Sequence, residues 1–193
     1  MSLPLRQANQ VELICHRQTP CPIVRSIMVG LGHDAAGLRL VYHLTGDLAQ
    51  LRIPSASAPA AAGRLWAQTC FEAFIAASSD DGYREWNFSP SGQWDHYAFS
   101  GYRKGALPNE SAGAPATPAI HVDRTTDSIQ LDAHIALPPW RCATLAIGLS
   151  TVVEDIDGGL SYWALAHPSA RPDFHSRAGF ALSLDLATNV FSI

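Results

Sequence analysis

The chain has 193 residues, 13 Lys+Arg against 17 Asp+Glu, a formal net charge of −4, and 47% hydrophobic but only 16% charged residues. That length suits one domain with a full core, and the hydrophobic share excludes disorder over most of it. Positive charge is sparse, with Lys104 the only lysine, which excludes a protein that tracks a phosphate backbone, so no nucleic-acid partner is expected.

No apolar run approaches the roughly 18 residues of a membrane span, so no membrane partner is expected. The opening MSLPLRQANQVEL lacks the charged and apolar regions of a signal peptide. A cytoplasmic location follows as the expectation, with Cys15, Cys21, Cys70 and Cys142 as reduced thiols.

Helical periodicity is nearly absent. Short runs of β-branched and aromatic residues recur instead, each ended by Gly, Pro, Asn or Asp. In chain order the expected strands are 11–16, 23–31, 38–45, 69–77, 83–89, 94–102, 119–124, 128–135, 144–154, 160–166 and 179–184. Within 128–135 the alternation is clean, with Ile129, Leu131, Ala133 and Ile135 facing one way and Gln130, Asp132 and His134 the other, the pattern of an antiparallel strand with one wet face. Two small-residue stretches, 54–63 and 106–118, interrupt the rhythm and are expected to be mobile loops. About ten or eleven short strands without a helix indicate an all-β chain, a single antiparallel β-sandwich of jelly-roll type spanning residues 1–193.

Residues 64–75, RLWAQTCFEAFI, put Trp66 at the end of the first loop and Glu72 inside an apolar strand. A carboxylate there must be paired or reach solvent, because burying it alone is costly. Period-two counting places Cys70, Glu72 and Phe74 on one face and Phe71, Ala73 and Ile75 on the other. Glu72 then either meets a ligand or pairs with Arg84 or Arg64. Residues 83–102, YREWNFSPSGQWDHYAFSGY, hold seven aromatic residues around a Pro-Ser-Gly-Gln turn at 90–93, which reads as a hairpin. Trp86 and Phe88 alternate there like core residues.

The pattern Leu65-Trp66, Glu72-x-Phe74, then 85–95 (EWNFSPSGQWD), 133–138 (AHIALP) and 152–163 (VVEDIDGGLSYW) resembles the family-nine carbohydrate-binding modules and the related DOMON-like domains, loosely and in order from Leu38 to Phe180. The resemblance implies a non-catalytic β-sandwich that takes a small saccharide or similar polar ligand between two tryptophans. Carried over residue by residue, Trp66 matches the first clamp position, Glu72 the hydrogen-bonding acid and Asn87 the amide before the hairpin, with Arg84 beside it. Trp163 or Trp94 would be the second clamp. The chemistry is sound, since ring faces cover the apolar patches of a pyranose while carboxylate, amide and guanidinium groups bridge adjacent hydroxyls. Export signals and attached catalytic domains, usual in that family, are not seen here.

Two alternatives accompany this reading. Some DOMON-like domains bind haem b through a Met and a His, and here Met28 and His167 would be the axial pair. The other is an interaction module that has kept the fold without a small-molecule ligand. Residues 154–159, EDIDGG, fail as an EF-hand, since the twelfth position from Asp155 is Ala166. They read as an acidic hairpin turn, with a structural Ca²⁺ suggested only by the resemblance. Cys15, His16 and Cys21 match no common zinc spacing, so no metal site is assigned. No nucleophile elbow, phosphate loop, dinucleotide fingerprint or zinc-protease motif occurs, so no residue is assigned a catalytic role. Residues 167–177 gather His167, Arg171, Asp173, His175 and Arg177 on a loop whose Asp173 and Arg177 are expected to pair, and which suits the rim of a polar site.

Overall fold

Alternation along the chain becomes two antiparallel sheets in the computed structural model, which describes residues 9–56, 63–105, 107–108, 116–138, 140 and 142–193. The strands are β1 (Gln10–Glu12), β2 (Ile14–Cys15), β3 (Val24–Asp34), β4 (Gly37–Gly46), β5 (Cys70–Ala77), β6 (Tyr83–Phe88), β7 (Trp94–Phe99), β8 (Leu107–Pro108), β9 (Ala119–Arg124), β10 (Ser128–Ile135), β11 (Thr144–Glu154), β12 (Leu160–Ala164), β13 (Leu182–Asp185) and β14 (Val190–Ser192). The smaller sheet runs β1-β3-β4-β10-β9 and the larger β14-β13-β11-β5-β6-β7-β8. β11 is long enough to serve two neighbours on one side: residues 144–147 pair with β13 and residues 150–154 with β12. Its other side pairs with β5 over residues 145–152. The sheets face each other without closing into a barrel, an antiparallel β-sandwich as the sequence implies.

Residues of one parity on each strand fill the space between the sheets. β10 buries Ile129, Leu131, Ala133 and Ile135 and leaves Gln130 exposed. Tyr42, Phe71, Trp86 and Phe88 are the largest fully buried side chains in this core, each contributing about 1.5–3 kcal/mol through apolar burial. β3 and β4 form a hairpin whose Asp34 carboxylate accepts the Ala36 and Gly37 amides at 2.8 and 3.1 Å. Gly37 has φ +143°, and a Cβ there would fall 2.0 Å from the Ile135 carbonyl oxygen, so the turn admits only glycine.

Several expected boundaries move by one to three residues, and one expected strand divides. The strand expected over 11–16 is two strands on different sheets, β1 beside β3 and β2 beside β12, with the buried Leu13 between them tied to Ile27 by its amide. β7 stops at Phe99 because residues 100–104 reverse the chain, with Arg103 at φ 52° and a bridge between Gly101 and Lys104. β12 ends at Ala164. β13 starts at Leu182 because residues 177–179 form a 3-10 turn. β8 and β14 are too short to leave a pattern in the sequence. Residues 57–62, 106 and 109–115 of the two small-residue loops lie outside the described residues. All four cysteines are free, and among the described residues no helix is long and apolar enough to cross a membrane.

Candidate functional site

All eight residues of β5 are buried, although only Phe71, Ala73 and Ile75 belong to the core between the sheets. Something therefore covers the outer face of the larger sheet as well. The cover is the segment after β12. Phe180 and Phe174 pack with Phe74, Ala76, Tyr83 and Phe99 into a second apolar cluster. Beside that cluster the outer face opens into a cavity of about 630 Å³. Rings wall it from four elements: Trp66 from the turn before β5, Tyr97 and Phe99 from β7, Tyr162 from β12, and Phe174 from the covering segment.

Strand register builds the floor. Ser150, Glu72, Asn87 and Asp95 stand in one row across β11, β5, β6 and β7. The adjacent row is Gly148, Phe74, Glu85 and Tyr97. Glu72 and Glu85 are thus diagonal neighbours on adjacent strands, and both line the cavity while only 2% and 5% exposed. Glu72 Oε2 accepts the Ser150 hydroxyl at 2.9 Å, and Glu85 Oε1 accepts the Asn87 amide at 2.7 Å. Tyr97 donates its hydroxyl to Asp95. From the smaller sheet, Tyr42 donates to the Glu72 backbone carbonyl at 2.7 Å.

Burial sets the protonation states. Glu72 is held well above the usual carboxylate range by burial and then by the charge of Glu85. Glu85 is pushed up to about 7, chiefly by burial, with the Asn87 hydrogen bond opposing and the Asp95 charge adding to it. His175 is pushed down to about 4 by burial and by the Arg103 guanidinium. Tyr97 rises to about 12 through burial and its bond to Asp95. The Arg103 amide donates to the Tyr83 oxygen at 3.2 Å, and Tyr83 lies 2.8 Å from His175 Nδ1. That order of bonds assigns the Tyr83 proton to Nδ1 and the ring proton of His175 to Nε2, which faces Glu85 Oε2 at 4.0 Å. Neutral carboxyl groups both donate and accept, so this floor can bracket hydroxyl or amine groups from two sides.

The structure brings together some of the residues singled out from sequence and separates others. Trp66 and Glu72 both line the cavity, with Trp66 46% exposed at the rim and the Arg64 guanidinium 5.5 Å over its ring. Glu72 makes neither of the expected ion pairs, and Ser150 is its partner. Asn87 is fully buried and acts on the site through Glu85. Arg84 stands in register with Ile75, on the face turned to the core, and does not line the cavity. Trp94 and Trp163, the two candidates for a second clamp, are both packed into the core between the sheets. Trp94 sits opposite Phe88 across the hairpin, so it shares the parity of the core aromatics. Tyr97, Tyr162 and Phe174 occupy the walls instead. The hairpin alternation carried that signal for Tyr97 and Glu85; nothing local carried it for Phe174, which comes from a loop.

Loop 167–177 contributes Arg171, Pro172, Phe174 and His175 to the cavity. Its Asp173 pairs with Arg103 at 3.0 Å and accepts the Tyr102 hydroxyl at 2.8 Å. Arg177, the partner expected from sequence, donates to the Ala77 carbonyl and lies over Phe180. Met28 and His167 do not suit an axial pair. Neither lines the cavity, and His167 Nε2 is held by the Ile14 carbonyl at 2.7 Å. Met28 is half-buried and alternates with the core residues Ile27 and Val29. In the turn after β11, the Asp155 carboxylate accepts the Asp157 and Gly159 amides and Glu154 pairs with Arg52. Asp155 thus serves the turn and Glu154 an ion pair, and among the described residues no cluster of His, Cys, Asp and Glu is arranged to hold a metal.

No protein-family model matches the chain, and no curated protein matches it in sequence. A solved structure matches it in three dimensions. This chain is similar in fold to a "putative carbohydrate-binding protein" from Bacteroides uniformis, with a TM-score of 0.71 over 92% of this chain and 85% of that one at 15% sequence identity.

Proposed function

We propose that this chain is a carbohydrate-recognition module, and that its ligand is a small saccharide held in the cavity on the outer face of the larger sheet. One observation carries the reading: five aromatic rings from four separate elements wall a single cavity of about 630 Å³ whose floor holds carboxyl groups. Flat apolar faces beside planar polar groups are what a pyranose requires, since its C–H patches and its hydroxyl pairs lie side by side. The fold shared with the Bacteroides uniformis protein supports the reading, as does the resemblance of the Trp66–Glu72 segment to the family-nine modules and DOMON-like domains. Trp66 is the exposed platform, Glu72 and Glu85 the hydrogen-bonding groups, and Asn87 the residue that positions Glu85. The role is recognition without turnover.

The test is isothermal titration of the purified chain with a panel of mono- and disaccharides, read in parallel by tryptophan fluorescence. Binding by at least one sugar, weakened about tenfold or more in Trp66→Ala with unfolding unchanged within about 0.5 kcal/mol, is the expected result. A panel without a single response overturns the reading.

A further inference from the structure

Two acids on the cavity floor are buried without a cation. Glu72 has the Ser150 hydroxyl as its side-chain partner, and Glu85 has the Asn87 amide and, at 4.0 Å, the His175 ring. Among the described residues no Lys or Arg nitrogen lies within ion-pair distance of either carboxylate. The charged groups whose fields reach Glu85 have partners of their own: the Arg103 guanidinium has Asp173 and Tyr102, and Asp95 has Tyr97. Arg171 lines the cavity from the covering segment. A buried carboxyl group without a cation is held neutral at a cost to the folded state, and natural proteins tolerate that arrangement chiefly where something binds.

Diagonal placement on neighbouring strands leaves the two carboxyl groups on one side of one opening, with rings around them and the Arg103 and Arg171 side chains in the lining but not paired to either carboxyl group. A compact cation with several donors fits between them, and a primary ammonium has three. We propose that the saccharide is an amino sugar, whose ammonium group seats between Glu72 and Glu85 while its ring lies against the aromatic wall. This inference rests on the saccharide reading and narrows it.

Seating the ammonium draws both carboxyl groups into their charged form, so binding releases protons to the buffer. The groups facing the pair that set this release are Asp95 and Tyr97 on β7, Cys70 on β5, and His175, Arg103 and Arg171 at the walls. His175 stays neutral through the event, since its Nε2–H faces Glu85 and burial holds it uncharged.

Calorimetric titration with D-glucosamine, D-glucose, N-acetyl-D-glucosamine and cyclohexylamine, at pH 7 in two buffers of different ionisation enthalpy, tests the proposal. The expected result is D-glucosamine bound at least about tenfold more tightly than D-glucose or the N-acetyl sugar, with proton release read from the buffer dependence. Glu72→Gln and Glu85→Gln then bind D-glucosamine no more tightly than D-glucose, and the proton release on binding D-glucosamine is lost. Equal affinity for the three sugars overturns the amine inference and leaves the saccharide reading standing. Binding of cyclohexylamine as tightly as D-glucosamine overturns the saccharide reading and leaves the amine seat. Silence from all four overturns both.

Discussion

Glu85 and His175 face each other at 4.0 Å with protonation equilibria displaced in opposite directions. Glu85 titrates near about 7 in the folded chain against 4.5 when unfolded. Between those values the folded state holds the extra proton, so this group's contribution to stability is full below 4.5 and is lost as pH rises through about 7. His175 titrates near about 4 against 6.5, so the unfolded state holds the extra proton, and its contribution is present above 6.5 and lost as pH falls through about 4. The two slopes oppose each other through the shared range and hide one another in the parent chain. Measured against that parent by chemical denaturation from pH 4 to 8, Glu85→Gln should gain stability as pH rises through the Glu85 window. His175→Gln should lose stability as pH rises through its own. Each difference amounts to up to about 3 kcal/mol, at about 1.4 kcal/mol per pH unit. Parallel curves for parent and variants would show that neither group is displaced as described.

At the level of the element, the segment from Ala166 to Phe180 makes a site out of a sheet face. It has no regular structure beyond a 3-10 turn, and Phe180 anchors it by lying over Gly148 of β11. A Cβ at Gly148 would meet the Phe180 ring at 2.8 and 3.2 Å, closer than a rigid ring can tolerate. Gly148→Ala is therefore expected to cost about 1–3 kcal/mol by overpacking and to weaken saccharide binding, because Arg171, Phe174 and His175 move with Phe180. Gly179→Ala is the control, since a Cβ there meets only ordinary contacts beyond 3.5 Å. Denaturation and titration of the two variants decide the point, and a Gly148→Ala protein that binds like its parent would remove the segment from the site.

The same element marks the limit of what the sequence reveals. Strands were legible because one face of each meets an apolar core, which imposes a period of two that turn residues then punctuate. Counting by twos also placed Glu72 and Phe74 together, away from Phe71 and Ile75, and the register agrees. It misled where a tryptophan was taken as a clamp for its chemistry without regard to parity, as with Trp94 and Trp163. Phe174 and His175 sit 100 residues from β5 and reach the cavity through a loop, and no periodicity encodes where a loop folds back. The division of β11 between two partners is invisible for a related reason, because pairing on a strand's edges leaves no mark on the alternation of its faces.

Across the whole molecule the larger sheet gives one face to the core and the other to the cavity, so core packing and recognition draw on different residues of the same strands. Tyr42 offers the sharpest test of that separation. It is fully buried in the smaller sheet, its ring 5.1 Å from Phe71, and its hydroxyl crosses the core to the backbone carbonyl of Glu72 at 2.7 Å. The bond fastens the two sheets at the strand that carries the cavity floor. Tyr42→Phe keeps the packing and removes the bond, at an expected cost of about 1 kcal/mol, which urea denaturation reads directly from the midpoint. The Glu72 carboxyl group remains set by strand register and by Ser150 from the opposite face, so the affinity of Tyr42→Phe for any bound sugar should match the parent within about a factor of two. Trp66→Ala should do the reverse, losing affinity at constant stability. A Tyr42→Phe protein that lost sugar binding by tenfold would mean that the core bond, rather than the register of β5 and β11, holds Glu72 in place, and the two faces of the sheet would then be one coupled unit.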